Sequence, residues 1–77
     1  MLPFVSVALR VCDELHIVDK RSQGMVMRFA KLYKPEKMGE IMRHAKTIIW
    51  WESNSIAAFM LSVKEINRRE KEVSENP

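Results

Sequence analysis

Apolar residues recur at helical spacing in four stretches of the chain, with short polar breaks between them. Phe4, Val7, Ala8, Val11 and Leu15 form the first stripe. Val5, Leu9 and Cys12 widen it, leaving Ser6, Arg10, Asp13 and Glu14 as a narrow polar strip. A helix apolar over that much of its circumference contacts more than one neighbour. Val5, Val7, Leu9 and Val11 also alternate as a strand would. No other segment offers that strand a partner, so the pattern predicts a helix over residues 3–15. Pro3 suits its first turn, where a missing N–H is no loss.

The second stripe is Val26, Phe29, Ala30 and Tyr33, with Asp19 or Ser22 as the cap that starts its helix. Pro35 and Glu36 fit the first turn of a third helix, expected to reach Trp51 with Met38, Ile41, Met42, Ala45, Ile48 and Ile49 on one face. A Ser or Asn cap within residues 53–55 opens a fourth, striped by Ile56, Phe59, Met60, Val63 and Ile66. Beyond Ile66 the apolar pattern stops. Glu65 with Arg69 and Arg68 with Glu72 then make i,i+4 pairs on a solvated helix. The expectation is an all-α bundle of three to four helices over residues 1–73, with a frayed tail at 74–77.

Composition agrees with one small domain. The chain has 77 residues, 47% hydrophobic and 30% charged, with two Gly and three Pro. It is too apolar for disorder and too poor in turn residues for a many-stranded barrel. At this size only about 60% of the unfolded chain's surface is buried, so stability depends on tight helix packing or a partner. The single cysteine excludes an intrachain disulfide and favours a reducing compartment. Arg10 interrupts the apolar opening, and residues 52–55 interrupt the apolar stretch from 48 to 63, so neither a signal peptide nor a membrane span is expected. These features predict a soluble, cytoplasmic protein.

Catalytic chemistry finds no foothold. No Gly-rich phosphate loop, G-x-S-x-G or H-E-x-x-H occurs. Cys12 with His16 and Glu40 with His44 are turn-spaced, but a zinc site takes four ligands at tight spacing, and Cys12 lies on an apolar face. The expectation is a protein that is not an enzyme and holds no metal or cofactor.

Charge placement carries more. Residues 20–46 contain eight Lys and Arg against two Glu, a net +6 in a chain whose total is +3. Arg21, Arg28 and Lys31 fall roughly opposite the core stripe of the second helix. Arg43, Lys46 and Trp50 fall on one flank of the third. Cations beside an indole suit phosphate contacts with stacking or groove contact, while ordinary solvated faces are the plainer reading. Trp50 and Trp51 take opposite flanks of the third helix, and burial of both in the core is the simpler expectation. An indole anchoring a partner protein is the alternative. A helix-turn-helix built from the second and third helices fits poorly, with Lys34 and Pro35 where Gly is usual and Glu40 where an apolar residue should pack.

Residues 17–22 (Ile-Val-Asp-Lys-Arg-Ser), Trp50 with Trp51, Ala57-Ala58-Phe59-Met60 and Val63-Lys64-Glu65-Ile66-Asn67 resemble the C-terminal helical modules of plasmid and phage replication proteins, initiators and DnaD-like replisome organisers among them. The resemblance spans residues 17–70 and is one of texture rather than of a diagnostic motif. It implies a module that touches DNA or recruits replication proteins. The expected function is therefore a DNA-associated module with weak sequence preference, using Arg21, Arg28, Lys31, Arg43, Lys46 and Trp50. A protein-interaction module without nucleic acid remains the alternative, and a homodimer through Val5 and Leu9 of the first helix is expected with either.

Overall fold

The computed structural model describes residues 3–75. It contains α1 (Pro3–Glu14), α2 (Lys20–Leu32), α3 (Pro35–Ile48) and α4 (Ser55–Glu75), and no strand occurs among the described residues. The alternation in the first segment is thus overridden by its helical stripe. Ser74 and Glu75 end α4, and residues 76 and 77 of the expected frayed tail lie outside the described residues.

Local chemistry sets the ends. The Asp19 carboxylate accepts a hydrogen bond from the Ser22 N–H at 2.9 Å, capping α2, while Ser22 itself is buried inside the helix. Asn54 Oδ1 accepts from the N–H groups of Ile56 at 3.0 Å and Ala57 at 3.4 Å, opening α4. Pro35 opens α3, which has no side-chain cap. α1 closes with paired bonds, from the Ile17 N–H to the Cys12 carbonyl at 2.8 Å and from the His16 N–H to the Asp13 carbonyl at 3.3 Å. That closure requires a left-handed residue, and His16 supplies it at φ 57°.

α3 stops at Ile48 and does not reach Trp51. The N–H groups of Trp51 and Glu52 both donate to the Ile48 carbonyl, at 3.1 and 3.0 Å, and fold the chain into a turn. Successive branched and aromatic residues, Ile48 to Trp51, hold a helix weakly, and the Asn54 cap starts the next one.

α1 packs against α2 and α3, and α3 packs against α4. Leu15, Val26, Met38, Ile41, Phe59 and Ile66 are essentially inaccessible at the centre. Each fully buried side chain of this kind contributes roughly 1.5–3 kcal/mol. The Phe59 ring meets Phe29 edge-on at 5.8 Å, and Phe29 stacks on Tyr33 at 5.8 Å, joining α4 to the end of α2. Asn67 Nδ2 donates to the Tyr33 hydroxyl at 2.9 Å and fastens the same corner. The fully buried Ser62 hydroxyl shares a 3.0 Å hydrogen bond with His44 Nδ1, so the polar pair between α3 and α4 is satisfied. The bundle is flat, with Cα extents of 40 × 35 × 17 Å. No helix among the described residues is long and apolar enough to cross a membrane.

The tryptophans depart from expectation. Neither is in the core: Trp50 is 90% exposed and Trp51 72%. Once α3 ends at Ile48, the flank that each would have occupied no longer exists.

Candidate functional site

α2 has four cations and no acidic residue: Lys20, Arg21, Arg28 and Lys31. At 100° per residue these four fall within an arc of roughly 100°, and Val26 and Ala30 face the opposite way into the core. The helix therefore presents a cationic stripe because its apolar positions are consumed by packing. All four cations are exposed. No carboxylate lies within ion-pair distance of any of them among the described residues. The Lys31 ammonium instead sits over the Phe4 ring, 5.2 Å from its centroid.

Lys20, Arg28 and Lys31 border a groove between α1 and α2 whose floor includes Leu9, Cys12 and Met27. Gly24 lies in the middle of the stripe, and a Cβ added there would meet nothing within 4 Å. Nothing inside the fold requires glycine at that position. Its absence of side chain leaves the helix backbone open to close approach between the cations.

The α3 candidates are arranged differently. Arg43 and Arg10 border a second groove, between α1 and α3, and the Arg43 guanidinium lies along α3 beside Gly39. Lys46 Nζ is held by the Glu14 carboxylate at 2.5 Å, and Arg10 reaches the same carboxylate at 3.3 Å. Those contacts keep the Glu14 carboxyl below the usual carboxylate range, with the Lys46 hydrogen bond the largest cause. Trp50 lies past the end of α3, and no cation sits over either indole among the described residues. The structure thus brings Arg21, Arg28 and Lys31 onto one stripe, but among the described residues no hydrogen bond or cation–ring contact joins Arg43, Lys46 and Trp50.

Two cations were missing from the sequence reading. Lys20 is eleven residues before Lys31, three helical turns, and that spacing alone marks it as part of the stripe. Arg10 could not be found this way, because it depends on the packing of α1 against α3.

The turn-spaced pairs form no reactive centre. Cys12 is buried, and burial pushes its thiol up from its ordinary value, away from the reactive thiolate. His16 is exposed on the turn after α1, and His44 is occupied by Ser62. Among the described residues no three His, Cys, Asp or Glu side chains are grouped closely enough to hold a metal ion.

The molecule is a small all-α domain with a one-sided basic helix. Comparison with protein-family models, with curated proteins and with solved structures finds no match for the chain.

Proposed function

We propose that this domain is a non-enzymatic module that binds the phosphate backbone of nucleic acid through α2. One observation carries the reading: Lys20, Arg21, Arg28 and Lys31 form an exposed stripe on a helix without a single acid, with no ion-pair partners among the described residues. Exposed cations held on a rigid helix neutralise phosphates and release their counterions. Such contacts position a protein on nucleic acid and carry little sequence information, so sequence preference is weak. Arg43, across α1, is an auxiliary contact. The resemblance of residues 17–70 to replication-protein modules favours DNA as the polymer and replication proteins as further partners.

The test is binding of labelled single- and double-stranded oligonucleotides across a salt series. Four phosphate contacts give a slope of log affinity against log salt near −0.9 each, about −3.6 in total on duplex DNA. Arg21→Ala with Arg28→Ala should make the slope shallower by about two contacts, equally for unrelated sequences. Arg68→Ala with Arg69→Ala, on a stretch of α4 whose arginines are already paired with Glu65, should change little. Absence of binding to either polymer at about 50 mM salt, where screening is weak, would rule the reading out in favour of a protein-interaction module.

A further inference from the structure

The chain's two tryptophans stand together at the α3–α4 turn, 90% and 72% exposed. The turn leads directly into Glu52, one wall of a shallow apolar groove. The other wall is the outer face of α4, where Ala57, Met60, Leu61 and Lys64 follow at helical spacing. Leu61 is 41% exposed. Neither Glu52 nor Lys64 has an ion-pair partner among the described residues.

We propose that this corner is a self-association surface, on which two copies of the chain pack Trp50, Trp51, Met60 and Leu61 about a two-fold axis. Charge selects a second copy as the occupant. The chain is +3 overall, and a basic face would repel its own copy. The corner instead carries one anion, Glu52, and one cation, Lys64, at the rim of an apolar centre. A two-fold axis sets each surface against itself, so each Glu52 can face the partner's Lys64 without a like-charge clash.

Area points the same way. At about 150–250 Å² per aromatic side chain, the two indoles alone leave roughly 250–400 Å² of surface in water. With the exposed parts of Met60 and Leu61 the total is roughly 350–550 Å², as large as the largest apolar patch of a typical monomer, which is often functional, and about half of the roughly 800 Å² per partner of a standard interface. The α1–α2 groove is the poorer self-association surface. Leu9 is exposed there, but Lys20, Arg28 and Lys31 border the groove and would meet their own copies.

Because both tryptophans are in this corner, all tryptophan fluorescence reports on it. Sedimentation and emission are to be followed together on the whole chain between about 1 μM and about 500 μM, the range in which a micromolar dimer assembles. Mass should rise from 9.1 kDa toward twice that value while the emission shifts to the blue over the same range. Leu61→Lys should weaken association at least about tenfold with helicity unchanged. Glu52→Lys should weaken it too, and Glu52→Lys with Lys64→Glu should restore it. A monomer throughout would overturn the proposal, as would a dimer with unchanged emission or one abolished by Leu9→Lys but not by Leu61→Lys. So would a charge-swapped double variant that fails to recover. A blue shift of the dilute chain on neutral phosphatidylcholine vesicles, without self-association, would assign the corner to a lipid surface instead. None of these readouts depends on α2, so a failure here leaves the nucleic-acid reading to its own test.

Discussion

Lys46 of α3 is held by Glu14 of α1 at 2.5 Å, and Arg10 shares the same carboxylate. A lysine so engaged releases little to a phosphate without first giving up its partner. Lys46→Ala should therefore change oligonucleotide affinity and salt slope far less than Arg28→Ala, whose cation has no ion-pair partner among the described residues. Titration of the two variants at low salt checks this. Equal losses would place the binding surface across α1 and α3 instead.

Acid should lower the stability of the domain through its surface carboxylates. Hydrogen bonds from Arg68 first, then Arg69, hold Glu65 at about 2, against an ordinary 4.5. Lys46 lowers Glu14, and the Ser22 backbone N–H lowers Asp19 from 3.8. A folded-state pKa below the unfolded one means stability that is present above the unfolded value and lost as pH falls through the folded value. Melting temperature should thus hold until about pH 4.5 and then decline toward pH 2. Added salt should weaken the parts due to Glu14 and Glu65 more than the cap at Asp19. A melting temperature that is flat across this window would contradict the assignment.

His16 stores backbone strain. Its φ of 57° is left-handed, and its imidazole makes no hydrogen bond among the described residues that would repay the conformation. His16→Gly should raise stability by about 1 kcal/mol, while a branched residue such as Val should lower it by at least as much. Chemical denaturation of the three proteins measures both signs.

Phe59 is fully buried at the junction of α2 and α4. Phe59→Ala should cost about 3–5 kcal/mol. A domain this size has only about 4–12 kcal/mol in total. The variant should show weak helicity and a broad or absent thermal transition by circular dichroism.

The four helices were legible because each carries its stripe over two to three turns, and the Pro35 start follows from the chemistry of proline, whereas the choice between Asp19 and Ser22 as the cap of α2 is made only by the hydrogen bond from the Ser22 N–H to Asp19. The stripe of Arg21, Arg28 and Lys31 was legible for the same reason, as the complement of Val26 and Ala30. Trp50 and Trp51 were not. Their assignment to helix flanks extended the phase of α3 past Ile48, and the hydrogen bonds that end α3 involve backbone groups that sequence does not distinguish. The Lys46 contact was hidden as well, since Glu14 is 32 residues away and meets it only through packing of α1 on α3.

α4 outlasts the body that supports it. It is 21 residues long, about 31 Å, yet its last buried residue is Ile66. From Asn67 onward, among the described residues, Asn67 bonds Tyr33 at the end of α2 and Glu70 meets Lys37 of α3. The remaining ion pairs, such as Arg68 with Glu65 and Glu72, run along the helix itself. The helix therefore has two stabilities. Amide protons near Phe59 should exchange only when the whole domain opens, while those near Glu75 should exchange through local fraying. A protease would remove the projecting end and leave the core intact. A ligand that gripped the end would lengthen the cooperative unit without touching a single core residue.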